Sequence, residues 1–403
     1  MAETRQRSKE RPNYETFNPP KRILLGPGPS PVDQQVLTAM AAPVIGHLDP
    51  AFLQCMDDIK AMLRYAFDTE NGMTLPISGT GSAGMEASIV NLVEPGDEVV
   101  ACIGGYFGER MHEMAERAGA KTVPVRAEWG KSIDRAQIED AIRSCKPKVV
   151  AIVSAETSTG VWQDLAGLGD LVHSQGALLV VDAVTALGTQ PIHVDAMGID
   201  VCFSCSQKGI GAPPGLSPIT FSDRAMKAIT GRQRKVQSWY LDVTTIQQYW
   251  GANRSYHHTA PISMNYALRE ALRLLCAEGM EPRWRRHELN SRAFVAAVDA
   301  MGLEMLVTPK DRLWGVNVVR VPESVDDAGV RSHLLDEASI EISGGLGPFK
   351  GRVWRIGLMG AGSTEQNVKL LVGALHKALA AQGFDRGPGL EAAEKVYAAA
   401  KAS

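Results

Sequence analysis

The chain has 403 residues, 45% of them hydrophobic and 22% charged, as in an ordinary globular protein, and is long enough for two or three domains around a sizeable core. A formal net charge of −3 gives no electrostatic case for nucleic acid or an anionic membrane as partner. No run of about 18 uninterrupted apolar residues marks a transmembrane helix. Of six cysteines only Cys202 and Cys205 stand three apart, inside an apolar strand-like run, so all six read as free buried thiols in a reducing compartment.

Residues 1–21 read as an extended N-terminal arm, polar and closed by Pro19-Pro20. The arm lacks the apolar core of a secretory signal, and its glutamates Glu3 and Glu10 argue against a transit peptide. Lys401-Ala402-Ser403 is not the usual peroxisomal tripeptide, so the cytoplasm is the expected location. Gly26-Pro27-Gly28-Pro29 cannot be helix. Val32–Met40 reads as a short helix, and Asp49-Pro50 opens a longer one through Phe67 with proline at its first position.

From about 72 to 222, apolar runs alternate with amphipathic stretches. The runs are Met73–Ile77, Glu98–Ile103, Thr122–Val125, Val149–Val153, Ala177–Val184, Val201–Ser204 and Ser217–Phe221. The helical stretches include Ser82–Val93, Gly108–Ala118, Arg135–Ser144 and Leu165–Ser174. Such alternation predicts an α/β fold with a mostly parallel seven-stranded sheet covered on both faces. A helical pattern then runs from about Ile262 to Met301 with a break at Gly279 and Pro282. Strands at Trp314–Val321, Ile340–Ile342 and Val353–Gly357, with helices at Ala328–Glu337 and Thr364–Ala381, predict a smaller α+β unit. The expected division is a large domain over 22–285, a small C-terminal domain over 286–383, and a tail over 384–403 with an Ala-rich helix. The basic clusters Arg232–Lys235 and Arg283–Arg286 read as solvated helix faces or loops.

Three segments carry chemistry. In Ile77-Ser78-Gly79-Thr80-Gly81-Ser82-Ala83-Gly84, a strand ends in a loop that opens a helix. Its backbone N–H groups and hydroxyls suit a phosphate; the same spacing also serves a tight packing turn. The dinucleotide fingerprint fits literally, yet no acidic residue closes the next strand, which ends Ile103-Gly104-Gly105. Asp182 ends the apolar run Leu178–Val181, where an ionised carboxylate needs a cationic partner. Lys208 lies in a polar turn after the strand Val201–Ser204. Desolvation there lowers a lysine's pKa and keeps the amine nucleophilic. A lysine Schiff base with an acidic partner for a pyridine nitrogen is the signature of pyridoxal 5′-phosphate (PLP) binding.

These segments, with Leu25–Ser30, Glu156-Thr157-Ser158-Thr159-Gly160, Ser206-Gln207-Lys208, Tyr256-His257-His258-Thr259, Gly344–Gly347 and Trp354-Arg355-Ile356-Gly357, stand in one order over residues 22–383. The chain thereby resembles the class V aminotransferases of PLP fold type I, and most of all the alanine–glyoxylate and serine–pyruvate group. The resemblance implies that Lys208 binds PLP and shuttles the proton, and that Asp182 pairs with the pyridine nitrogen. Thr80, Gly81, Ser82 and Gln207 would hold the phosphate, and Tyr256 and Thr259 that of a neighbouring subunit in a homodimer with shared active sites, its N-terminal arm wrapped on the partner. Phe107 would stack on the cofactor and Thr157 touch the ring edge. Arg355 would clamp the substrate carboxylate, and Gly28 would admit close approach. No metal is expected: His257 and His258, read as strand neighbours, would point to opposite faces. The implied reaction is ping-pong transamination between a small amino acid (alanine or serine) and a 2-oxo acid (glyoxylate or pyruvate). Ser82 and Phe107 depart from the histidine and tryptophan common in the mammalian-type pattern. Alternatives are a class V enzyme for another amine (hydroxykynurenine, an aminophosphonate or pyridoxamine), a desulfurase, disfavoured because no cysteine follows Cys276, and a PLP-free binding protein of the same fold.

Overall fold

A computed structural model describes residue 11 and residues 13–402. The first ten residues of the expected arm lie outside the described residues; 13–22 are exposed and carry no helix or strand. Short helix α1 (Gln34–Met40) precedes α2 (Pro50–Phe67). The Asp49 side chain accepts the Ala51 N–H at the start of α2, with Pro50 at its first position, where the missing N–H costs nothing.

Seven strands form the central sheet: β1 (Met73–Ser78), β2 (Glu98–Ile103), β3 (Lys121–Arg126), β4 (Val149–Val153), β5 (Leu178–Asp182), β6 (Val201–Phe203) and β7 (Leu216–Phe221). Their spatial order is β1-β7-β6-β5-β4-β2-β3. Only β7 runs against its neighbours, pairing antiparallel with β6 and β1. The other pairs are parallel. Strands β4 and β5 are buried along their whole length, as a parallel sheet covered on both faces demands. The crossover helices are α3 (Gly81–Leu92), α4 (Tyr106–Arg117), α5 (Arg135–Ser144) and α6 (Leu168–Ser174). Helix α6 starts three residues later than the sequence pattern suggested, because Gly167 takes a left-handed φ of 66° and serves as its N-cap.

Helices α7 (Asp223–Thr230) and α8 (Val243–Trp250) had no sequence expectation; each is a short two-turn element opened by a Ser or Asp cap. Gly279, at φ 84°, separates α9 (Ile262–Glu278) from α10 (Met280–Ala300). Pro282 sits in the first turn of α10, where its absent N–H breaks no helical bond. The second unit contains β8 (Val316–Arg320), β9 (Ser343–Gly344) and β10 (Val353–Gly357), in the order β8-β10-β9, with α11 (Asp327–Ala338) and α12 (Glu365–Ala380). Its core includes Phe294, Trp354, Leu371 and Leu375. The Ala-rich tail is helix α13 (Leu390–Ala402); it docks on α10 through buried Ala393 and Tyr397, whose hydroxyl donates to Asn290 Oδ1 at 2.8 Å. No described helix is long and apolar enough to cross a membrane.

The reading of Arg283–Arg286 as a solvated face is corrected. Arg283 is 5% exposed and shares Glu278 with Arg286 in a cluster of ion pairs. Arg283 lies on the inner side of α10, next to Trp284 and His287, which are also buried; Arg286 is half-buried, and Arg285 is exposed as that reading expected. Of the other cluster, Arg232 bonds the carbonyls of Asn91 and Val93 at the end of α3, each at 2.9 Å.

Candidate active site

Six of the seven sheet strands run in one direction, and chemistry-bearing side chains collect beyond their carboxyl ends, where open α/β sheets bind ligands. Asp182 ends β5, and Glu156 and Thr157 follow β4. The Gly79–Ser82 loop follows β1, and Lys208 follows β6.

Lys208 sits in a single π-type turn, Ser206–Ile210, with φ −116° and ψ −118°. Its side chain is 6% exposed. The Nζ donates to Thr157 Oγ1 at 2.7 Å and Thr185 Oγ1 at 2.8 Å, and lies 5.6 Å from the Phe107 ring centroid. Burial pulls its pKa below the ordinary lysine value, which favours the neutral amine a nucleophile needs. Gly28 has a φ of 130°, and a Cβ there would lie 3.1 Å from Lys208 Cε, so only glycine leaves this space open.

Asp182 is 2% exposed. Its Oδ1 accepts the Val184 N–H at 2.8 Å, and among the described residues no cation pairs with it within 4.0 Å. Burial pushes its carboxyl up to about 7, against the lowering effect of that N–H and of Lys208. Such a group calls for a cationic partner.

Arg355 sits on β10 beside Trp354. Alternation along the strand sends Trp354 into the small core and Arg355 toward the site. At 7% exposure its Nε donates to Gly344 O at 2.8 Å and Nη1 to Thr157 O at 3.4 Å. No carboxylate lies within 4.0 Å among the described residues, and burial lowers its pKa. Its fork is therefore available to an anion.

Sequence reasoning gave Glu156 no role of its own. The structure gives it one: its carboxylate accepts the N–H groups of Phe107 and Gly108 at 3.2 Å and the N–H and hydroxyl of Ser158. Helix α4 opens at Gly105, which has no side-chain cap, so Glu156 supplies the missing acceptor and fixes the turn that carries Phe107. Thr185 and Arg110 were also missed. Arg110 donates to Ser82 Oγ at 2.9 Å and lies 5.0 Å from the Phe107 centroid. A hydroxyl three residues past a strand end and an arginine one turn into a helix give no signal in sequence.

Thr80 caps α3 without a side-chain bond, and Gly81 and Ser82 begin that helix, leaving early N–H groups for a ligand. Gln207 Oε1 is buried without a hydrogen-bond partner among the described residues. Tyr256 (62% exposed) and Thr259 stand apart: no hydrogen bond or ring contact joins either to Lys208, Asp182 or Thr80–Ser82 among the described residues, and Tyr256 instead packs on His47 at 5.2 Å. The strand reading of His257 and His258 is corrected. Their segment is irregular, so the rings meet, Nδ1 to Nδ1 at 2.8 Å, and His258 Nε2 bonds Ser78 Oγ at 2.7 Å.

A buried amine beside a buried, unpaired carboxylate, below a loop that opens a helix, fits PLP: amine for aldehyde, carboxylate for pyridine nitrogen, helix N-terminus for phosphate. The unpaired Asp182 and the unbonded Gln207 amide oxygen are consistent with polar groups that a ligand completes. Residues 23–368 match the family model described as aminotransferase class V. An alanine–glyoxylate aminotransferase of Callithrix jacchus is 40% identical over 89% of this chain and 88% of its own. Among solved structures, an alanine–glyoxylate aminotransferase from Nostoc sp. superposes with a TM-score of 0.90 at 46% identity, covering 91% of this chain and 97% of the other. A ureidoglycine–glyoxylate aminotransferase from Bacillus subtilis gives 0.93 at 38%, covering 95% and 100%. The chain belongs to the class V aminotransferases. It is a PLP-dependent transaminase, with the fold type I architecture expected from its sequence.

Proposed function

We propose that the protein transfers the amino group of a small amino acid, alanine or serine, to a small 2-oxo acid, glyoxylate or pyruvate, by a ping-pong mechanism. The observation that carries this reading is the convergence of Lys208 and Arg355 on Thr157, one through its hydroxyl and the other through its carbonyl. A carboxylate held on the Arg355 fork brings its Cα toward Lys208, and Gly28, with no Cβ, leaves the space beside the Lys208 side chain open. The relatives named for glyoxylate support that oxo acid as acceptor.

In this reading Lys208 would hold PLP through its amine, Asp182 would serve the pyridine nitrogen, and Phe107 and Thr157 would hold the ring. Thr80, Gly81, Ser82 and Gln207 take the phosphate. When bound, PLP supplies an electron sink for the charge left on Cα. Arg355 would fix the carboxylate, and Lys208 Nζ, freed once the donor's amine takes its place on the cofactor, would be the base that accepts the Cα proton and returns it on the cofactor side. Asp182, ionised, keeps the pyridine nitrogen protonated. Water would release the oxo-acid product, leaving the amino group with the cofactor, and a second oxo acid would enter for the reverse half.

Tyr256 and Thr259, exposed and not bonded to the Lys208 site within one copy, support a homodimer in which each copy lends these residues to the other's phosphate. Six cysteines, none in a disulfide, support the cytoplasm as location.

Absorbance spectra of the purified enzyme with L-alanine or L-serine and no oxo acid test the reading. The expected result is that one donor converts the visible band of lysine-bound PLP to the near-ultraviolet band of its amine form, and glyoxylate restores it. A protein that holds PLP yet is bleached by neither donor overturns the substrate assignment.

A further inference from the structure

We propose that Arg283 is a positioning residue for Lys208, acting on the backbone of the lysine's turn from the side away from the cofactor. The inference rests on the assignment of Lys208 as the PLP lysine. The φ and ψ of Lys208 lie outside the helical basin, so the turn does not hold itself by helix geometry alone. Other groups fix its carbonyls. Ser30 donates its N–H to Gln207 O and its hydroxyl to Lys208 O, each at 2.8 Å. Arg283 Nη2 donates to Gly209 O at 2.6 Å.

The same guanidinium reaches a second loop, with Nε donating to Gly188 O at 3.2 Å. That loop leads back from Gly188 to Thr185, which accepts from Lys208 Nζ. One planar fork therefore spans the two turns that supply the amine and its acceptor. The turns are in direct contact: a Cβ on Gly209 would fall 2.2 Å from Leu187 O. A lysine at 283 has no rigid fork with which to reproduce both bonds.

Such a buried cation needs a counter-charge. Glu278 Oε2 accepts from Arg283 Nη1 at 2.6 Å. Glu278 also accepts from Arg286 at 2.6 and 3.0 Å. Arg286 bonds a different turn, donating to Gly360 O at 3.1 Å and Ser363 O at 2.6 Å. Removing either arginine leaves Glu278 the other. The pair thus separates positioning from stability: both secure the cluster, but only Arg283 bonds a carbonyl of the lysine's turn.

The test compares Arg283→Met, Arg283→Lys and Arg286→Met with the wild type as full-length PLP-loaded enzymes. Borohydride reduction and peptide mapping identify the lysine that carries PLP, kcat is counted per trapped PLP, and KM is measured for whichever donor converts the wild-type cofactor. Arg283→Met is expected to be trapped at Lys208, with kcat down about tenfold or more and KM within about twofold, because Arg355 is untouched. Arg283→Lys keeps the charge pair, so it folds where Met fails, and shows the same split. Arg286→Met lowers Tm comparably and keeps kcat near the wild type. Equal kcat in Arg283→Met (or Arg283→Lys) and Arg286→Met, after counting trapped PLP, overturns the inference. Trapping of the wild type at another lysine overturns the Lys208 assignment itself, and the inference with it.

Discussion

The side-chain nitrogen of Lys208 and the hydroxyl of Thr157 are joined at 2.7 Å, while the Thr157 carbonyl accepts from Arg355 at 3.4 Å. The two halves of one residue thus serve different groups. Replacing Thr157 by the isosteric Val removes only the half that faces Lys208. With Thr185→Val added, the amine loses both acceptors. The double variant is expected to lose on the order of tenfold to hundredfold in kcat. KM for the amino donor stays within a few-fold, since the carbonyl bound by Arg355 remains. Steady-state kinetics check this; a loss carried by KM would contradict the division.

Arg355→Lys keeps a positive charge but gives up the two-pronged fork and the bond to Gly344 O. KM for the donor is expected to rise roughly tenfold to hundredfold, at about 1.4 kcal/mol per factor of ten, with kcat less affected. The contrast with the threonine variants is the informative part: one set moves kcat, the other KM.

Asp182 makes the stability of the cofactor-free protein depend on pH. Burial raises its carboxyl from 3.8 to about 7. A raised carboxyl favours the folded state while protonated, so this contribution is complete below pH ~4 and is lost as pH rises through about 7. Asp182→Asn does not ionise. Its Tm should match the wild type near pH 4, exceed it slightly at pH 5 and exceed it most by pH 8, by an amount on the order of 4 kcal/mol in stability. Thermal denaturation of the two cofactor-free proteins over that range measures it. Adding PLP at pH 8 should stabilise the wild type more than the variant, because only the wild type offers a carboxylate to the pyridine nitrogen. A difference independent of pH would show that Asp182 is not ionising in this window.

Glu156→Gln weakens the acceptor for the Phe107 and Gly108 N–H groups at the start of α4. A carboxylate at a helix N-terminus contributes about 0.5–2 kcal/mol, so Tm should fall by a few degrees. If Glu156 holds Phe107 in place, PLP affinity measured by fluorescence titration falls as well. An unchanged affinity with a lowered Tm would confine Glu156 to capping.

Much of the site was legible because its residues sit at the ends of recognisable runs. Five buried residues at β5 gave Asp182, and a strand followed by a polar turn gave Lys208. Boundaries were less legible where glycine geometry decided them, as at the late start of α6 after Gly167. Groups brought in from other elements were not legible at all. Thr185 reaches Lys208 across two loops, Glu156 caps a helix from another strand, and Arg110 meets Ser82 from one helix to the next. Arg283 was read as solvated because a run of arginines carries no mark of the direction in which its helix packs.

The sequence by itself determined the order of elements, the mostly parallel sheet with Asp182 and Lys208 at the ends of its strands, and Arg355 on a strand of the smaller unit, because apolar periodicity and turn residues act over short stretches of chain. Tertiary structure alone decided which groups surround them: two hydroxyls for the lysine amine, no paired cation for Asp182 among the described residues, and the buried Arg283 with half-buried Arg286 beside the lysine's turn. Burial and hydrogen-bond partners arise from segments far apart in the chain. They set pKa values and orientation only once packing has excluded water from between them.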